Sequence, residues 1–158
     1  MTTEHATAPL VLITGAAGGV GRALVARFLA GGWAVFATDA DAVGLAELGQ
    51  GYALAGSKAA DLRTAAACNA VVAAATEAAG RLDAVINAAG VWREGPVESF
   101  SEEDFDLVLD VNLKASFFIC AAAIDHLKQT RGAIVNISSD AGRQGNPNAA
   151  AYCASKGG

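Results

Sequence analysis

Between Leu10 and Gly21 four apolar residues run into a turn with four glycines in seven positions, and a helical pattern starts directly after it. A buried strand that ends in a glycine turn and opens a helix is a phosphate-binding device. Glycine lets the backbone turn sharply and admits a ligand where a Cβ would block it. The free N–H groups and the positive dipole end of the next helix favour an anion. The spacing Gly15-x3-Gly19-x-Gly21 differs from the G-x-G-x-x-G of the ordinary dinucleotide fingerprint and lays the same glycine functions on a longer turn. Taken alone, the glycines equally describe a tight β–α turn without a ligand; the strand before and the helix after favour a nucleotide.

Strand and helix patterns alternate along the rest of the chain. Leu10–Ile13 reads as a buried strand, and Val20, Leu24 and Phe28, with Val25 and Leu29 beside them, recur at helical spacing until Gly31-Gly32. Trp33–Thr38 reads as a second strand, Asp41–Leu48 as a short helix and Tyr52–Ala55 as a weak third strand. Thr64–Ala79 is alanine-rich and helical up to Gly80. Ala84–Ile86 is a fourth strand, closed by Asn87-Ala88-Ala89-Gly90. Ser101 is placed to cap a helix whose first turn holds Glu102, Glu103 and Asp104, and the helical pattern runs to Lys128 in two pieces meeting near Asp110–Asn112. Ala133–Ile137 is a fifth strand, and a helix begins again near Ala149. Such alternation gives parallel βαβ units with right-handed crossovers, and the apolar strands fit a sheet covered on both faces. The expected fold is α/β: a doubly wound, Rossmann-type parallel sheet of order 3-2-1-4-5 over residues 10–158, after a flexible tail 1–9.

Composition narrows the partners. With 158 residues and 53% hydrophobic content the chain is long enough for one domain with a real core. A net charge of −5 and no basic cluster argue against nucleic acid or an anionic membrane surface. The polar start lacks a signal peptide's pattern, and the longest mostly apolar run, Ala115–Ile124, is too short to span a bilayer. Cys68, Cys120 and Cys153 are odd in number and widely spaced, so neither a metal nor a disulfide framework is expected, only three buried free thiols in a cytoplasmic protein.

Two carboxylates bear on the nucleotide. Asp39 ends the second strand, 18 residues beyond Gly21, where it can accept hydrogen bonds from ribose hydroxyls and repel a 2′-phosphate. It is equally placed to cap the Asp41–Leu48 helix. No Arg or Lys stands at positions 16–18 or 38–42, which favours NAD over NADP. Asp61 follows the third strand and is placed either for an adenine amino group or simply as a solvated loop residue.

Chemistry gathers near the end of the chain. Tyr152 and Lys156 are four apart on one helix face. A phenol with a pKa of about 10 trades protons poorly at neutral pH, and a neighbouring ammonium stabilises the phenolate. Such a pair is a usable general acid–base. Ser139, in Asn136-Ile137-Ser138-Ser139, ends the fifth strand on the side where ligands of such sheets lie. Trp92, Arg93, Gln144 and Asn146 follow strands four and five and are candidates to line a substrate pocket, or ordinary loop residues. His126, near a helix end, suits the dipole.

Together these residues resemble the short-chain dehydrogenase/reductase family in its classical form: Thr14-Gly15-x3-Gly19-x-Gly21, Asp61-Leu62, Asn87-Ala88-Ala89-Gly90, Asn112 within Val111-Asn112-Leu113, Ser139 and Tyr152-x3-Lys156, in order from residue 10 onward. The resemblance implies hydride transfer between NAD(H) and an alcohol or ketone. Tyr152 would be the acid–base and Ser139 would hold the substrate oxygen, with Ser138 the less favoured candidate. Lys156 would tune Tyr152 and bind the nicotinamide ribose. Asn112 would hold a water in a relay towards Lys156, or is simply a polar residue at a helix kink. Asn87 would brace the sheet beside the cofactor. The cofactor-binding set it implies is Thr14, Gly15, Gly19, Val20, Gly21, Asp39, Asp61, Leu62, Asn87, Ala88, Gly90, Tyr152 and Lys156, with no metal. Phe117, Phe118, Ile119 and Ile124 are core or, in the family's manner, part of a face for a second copy, so a full-length version is expected to be a homo-oligomer. The family's usual second Asn of the fourth-strand motif is Ala88 here. Family members also continue beyond Lys156 with further strands, so the sequence resembles the first part of a dehydrogenase, with its fifth strand left as an open edge. The alternative function is a nucleotide-binding fragment without turnover. A Rossmann-like methyltransferase shares the glycines but has no need of Ser139, Tyr152 and Lys156.

Overall fold

A computed structural model describes residues 8–158; most of the expected tail lies outside them. Five strands form one parallel sheet: β1 (Leu10–Thr14), β2 (Ala34–Asp39), β3 (Gly56–Ala59), β4 (Ala84–Asn87) and β5 (Ala133–Asn136), in the order β3-β2-β1-β4-β5. All four pairings are parallel, as right-handed crossovers through helices require. Pairing starts just before β1, where the Pro9 carbonyl accepts from the Ala34 N–H at 2.9 Å.

The strand period of two divides the core. Leu10, Leu12, Phe36 and Val85 point to one face, under α3 (Ala65–Ala79) and α5 (Ala115–Thr130). Val11, Ile13, Val35, Ala37 and Ile86 point to the other, under α1 (Gly19–Ala30) and α2 (Ala42–Gly51). β1 is buried along its whole length, as a central strand covered on both faces must be. The expected doubly wound α/β architecture is therefore the observed one.

Local chemistry explains the helix ends. Thr64 accepts from the Ala67 N–H, and Gly80 takes the left-handed conformation that closes α3. Ser101 accepts from Asp104 N–H and opens α4 (Glu102–Leu109), whose first turn holds three acids. α4 runs into α5 through one π turn, Asp110–Lys114. The expected break near Asp110–Asn112 is thus a widened turn inside a continuous helix.

Several boundaries differ from expectation. The third strand is Gly56–Ala59, not Tyr52–Ala55, because the Tyr52 N–H still bonds the Leu48 carbonyl and prolongs α2. The strand itself is polar Gly-Ser-Lys-Ala, an edge strand held by backbone pairing to Phe36–Asp39 rather than by apolar side chains. Gly56 is there because a Cβ would stand 2.8 Å from the Phe36 ring. Asp41, not Asp39, caps α2, accepting from Val43 and Gly44 N–H groups. Of the three thiols only Cys68 is buried; Cys120 and Cys153 are half-buried. The fifth strand ends at Asn136, although the Ile137 N–H still bonds the Asn87 carbonyl. β5 is the edge strand beside β4, with Val135 and Ile137 exposed.

One helix bears on the membrane expectation. Because the π turn does not interrupt it, the helix Glu102–Thr130 runs for 29 residues, and an 18-residue stretch of it has a mean hydropathy of 1.8, enough by length and composition to cross a membrane. Ala115, Ile119, Ala123 and Leu127, about one per turn, bury its inner stripe in the core beside α3. A core helix passes the same length and hydropathy test.

Candidate active site

A cavity of about 600 Å3 opens at the carboxyl ends of β1, β2 and β4, lined by Gly15, Gly18 to Gly21, Asp39, Asp61, Arg63 and Ala88 to Val91 among others. The glycine turn makes its floor. Gly15 sits at φ +65°, and a Cβ there would stand 2.7 Å from the Ala89 Cα, so only glycine lets the two turns touch. At Gly21 a Cβ would run into the Gly15 carbonyl. Gly18 caps α1 without a side chain, and the first turn holds no acid, so its N–H groups face the cavity unclaimed by a side chain. That is a fit for a phosphate. Val20, expected on the apolar stripe of α1, is instead 58% exposed and lines the cavity.

Behind this floor Thr14 and Asn87 tie strands together. Thr14 Oγ1, buried, accepts from the N–H groups of Ala88 and Ala89, both at 3.1 Å. Asn87 Nδ2 donates to Asn136 Oδ1 at 2.8 Å and to Cys120 Sγ at 3.3 Å, bracing β4 against β5 and α5. Its Oδ1 is buried without a hydrogen-bond partner. Burial raises the pKa of the Cys120 thiol, and the Asn87 amide works against it.

The two acidic candidates differ in what they have left to offer. Asp39 accepts from the Ala17 N–H through one oxygen and from the Asp41 N–H through the other. A carboxylate has about four acceptor positions, so half remain for ribose hydroxyls. Asp61 is mostly engaged by Arg63, whose single Nε–H is shared between both oxygens at 2.8 and 3.0 Å and whose Nη2 lies 2.6 Å from Oδ2; with the Arg63 backbone N–H this leaves about one acceptor position. The Arg63 hydrogen bond holds the Asp61 carboxyl below its ordinary pKa.

Past the short α6 (Ala141–Gln144), α7 (Ala150–Gly157) meets the π turn, which in turn holds the loop after β4. Asn112 Oδ1 accepts from the Val91 N–H at 2.8 Å, and its Nδ2 donates to the Val91 carbonyl and to Ser155 Oγ. Ser155 in turn donates to the Tyr152 carbonyl. A Cβ on Gly90 would stand 3.5 Å from Asn112 Oδ1 and 3.6 Å from Lys156 Nζ, so these groups converge over that glycine. Lys156 Nζ donates to the Ile137 carbonyl at 2.8 Å and lies 5.9 Å from the centre of the Tyr152 ring. Burial pushes the pKa of its ammonium down. Trp92 packs on the other residue of this pair, its ring centre 4.3 Å from that of Tyr152.

A family model described as short chain dehydrogenase matches residues 9–158. The chain belongs to that family. Among curated relatives it is 36% identical over 152 residues to D-threitol dehydrogenase of Mycolicibacterium smegmatis, covering 93% of this chain and 58% of the relative. It is 37% identical to 3beta-hydroxysteroid dehydrogenase of Mediterraneibacter gnavus, covering 93% and 55%. The crystal structure of levodione reductase superposes with a TM-score of 0.87 at 31% identity, over 95% of this chain and 61% of that one. The chain thus spans less than two thirds of the length of these short-chain dehydrogenases.

Against the family's pattern, the fold brings Asn112 and Lys156 together over Gly90 with Tyr152 beside Lys156, and engages the Ser139 hydroxyl locally. The Ser139 hydroxyl donates to Asp140 Oδ1 at 3.2 Å and accepts from the Ala141 N–H, three residues past the strand it was expected to end. Ser138 instead donates to the Lys156 carbonyl. The expected water-holding Asn112 is a buried brace whose amide hydrogens are both taken by protein groups, with one acceptor position open on Oδ1. Leu62 is core, contributing only its edge to the cavity. Ser155 and Arg63 are absent from the expected set, and Trp92, expected only as a pocket candidate, stacks on Tyr152. Of the first two only Arg63 carries a signal in the sequence, its spacing of two from Asp61 in a loop that opens a helix.

Proposed function

We propose that these residues form the cofactor-binding and acid–base part of an oxidoreductase acting between NAD(H) and an alcohol or ketone. The observation that carries this reading is one cleft along the carboxyl edge of the sheet. A phosphate-ready glycine turn and a half-free Asp39 stand at one side of it, and at the other Gly90, over which Asn112 and Lys156 converge with Lys156 beside the Tyr152 ring. A bound nicotinamide supplies or takes the hydride at the carbon that bears the oxygen. Tyr152 gives the proton to that oxygen during reduction and takes it back during oxidation. Lys156 favours the phenolate by its charge. Asn112 and Ser155 hold α7 against the loop after β4 and so keep Tyr152 in place. Trp92, 41% exposed, walls the substrate side of the phenol. The names of the relatives span a polyol and a steroid, so the alcohol class is as fine as the substrate reading goes. Three free thiols suit a cytoplasmic setting, and Phe117, 66% exposed on α5, offers a face for a second copy.

The test is NADH binding followed by reduction of assorted ketones, with Tyr152→Phe beside the wild type. The expected variant keeps NADH affinity and loses turnover; undiminished turnover removes Tyr152 from its role. A second reading, nucleotide binding without turnover, is favoured by the engaged hydroxyl of Ser139 and the Lys156 ammonium bound to Ile137. It predicts NADH binding with no ketone reduced.

A further inference from the structure

We propose that Arg22 is the positioning residue of the glycine turn, bracing it for the cofactor's pyrophosphate and fixing it against the corner at Asp39. This rests on the nucleotide reading of the cavity, and it concerns a side chain outside the cavity lining. Gly18 and Gly19 have no side chains to restrain the turn, and Gly18 caps α1 without one. Glycine torsions are the freest in a chain, so a peptide plane here can turn over. A flipped plane presents a carbonyl oxygen where a phosphate needs an N–H.

Arg22 supplies the restraint from the helix that follows. Its Nε donates to the Ala17 carbonyl at 2.8 Å, which keeps that oxygen from facing an anion. The Ala17 N–H donates to Asp39 Oδ2 at 2.9 Å. Ala17 is thus held at both ends, by the guanidinium at its carbonyl and by the ribose acceptor at its N–H. Arg22 Nη2 takes a second carbonyl, that of Gly44 on α2, at 3.1 Å. A Cβ on Gly44 would stand 3.1 Å from the Ala17 Cβ, so α2 meets the turn at close range. One guanidinium therefore joins the turn after β1 to the helix after β2. Its nitrogens stand in a rigid fork and hold two carbonyls in places that a single ammonium nitrogen cannot fill. The ion pair of Arg22 with Glu47 is exposed and contributes little. A turn ordered in advance spares the ligand the cost of ordering it.

Calorimetric binding of ADP-ribose to the 158-residue chain tests this without turnover, since that ligand carries the pyrophosphate and lacks the nicotinamide. Arg22→Ala is expected to weaken it about five- to fiftyfold. Arg22→Lys keeps the charge without the fork and is expected to bind nearly as weakly. Glu47→Gln removes the acid and leaves both carbonyl contacts, so affinity stays within about twofold. Thr64→Ala loses the cap of α3 outside the cavity, so its urea midpoint falls while ADP-ribose affinity holds. Unchanged affinity in Arg22→Ala, or an equal loss in Thr64→Ala, overturns the inference alone. So does full affinity in Arg22→Lys, or a gain of about threefold or more in Glu47→Gln, since either makes Arg22 a charge and not a brace. A wild type that takes up neither ADP-ribose nor NADH overturns the nucleotide reading, and this inference with it.

Discussion

Asp39 ends β2 and Asp61 lies just past β3, yet the hydrogen bonds around them assign different work. Asp39 spends one acceptor position on Ala17 and one on Asp41, which fixes its rotamer and leaves the remainder for hydroxyls. Its charge opposes a 2′-phosphate at the same place. NADH is therefore expected to bind at least about tenfold tighter than NADPH, a ratio equal to about 1.4 kcal/mol. Asp39→Ser should narrow that ratio, and fluorescence titration of both cofactors reads it directly. Equal affinities in the wild type remove Asp39 as the discriminator. Using the ratio cancels whatever the variant loses in ordering the Ala17 turn.

At the scale of elements, the passage from α4 to α5 is where the fold serves the site. A π turn adds a residue to one helical turn. The turn carries Asn112, which bonds the loop after β4 and α7 at once. Asn112→Leu leaves the Val91 N–H and the Ser155 hydroxyl short of partners in a buried place. The expected cost is about 1–3 kcal/mol, seen as a lower urea midpoint. Thr64→Ala loses only the cap of α3, about 1 kcal/mol, and does not line the cavity. A cofactor-binding defect in Asn112→Leu but not in Thr64→Ala marks the π turn as a strut of the site. Equal effects of the two variants on α7 contradict that role.

The whole molecule depends on a fastening at the amino end of the sheet. Asp83 is 11% exposed, accepts from Arg81 and from the Leu10 N–H at 2.7 Å, and so locks the start of β1 to β4. The Arg81 hydrogen bond holds its pKa below the ordinary carboxylate value. A folded pKa below the unfolded one gives stability that is complete above about pH 4 and fades as pH falls through the folded value. Acid unfolding should accordingly steepen below pH 4 in the wild type. Asp83→Asn should be less stable by about 1–3 kcal/mol at neutral pH and flatter in the acid range. An unchanged acid limb in the variant's pH-stability curve excludes Asp83 as its source.

The sequence by itself determined the order of elements, the parallel doubly wound sheet, the glycine turn and the residues near Tyr152 and Lys156. The reason is that helical and strand periods, caps and glycine torsions act within a few residues. It misread β3, because a polar edge strand is held by backbone bonds to its neighbour and shows no apolar pattern. It divided the 102–130 helix where polar residues widen it without ending it. Tertiary structure alone decided that Trp92 stacks on Tyr152, that Thr14 braces the β4 turn and that Asn112 reaches Ser155. Those partners lie 43 to 75 residues apart in the chain where bonded. Asp61 and Arg63 are near neighbours, but which positions of the carboxylate stay free depends on the backbone that β3 and α3 impose on their loop. Hydrogen-bond capacity is finite, and only the folded chain shows where it has been spent.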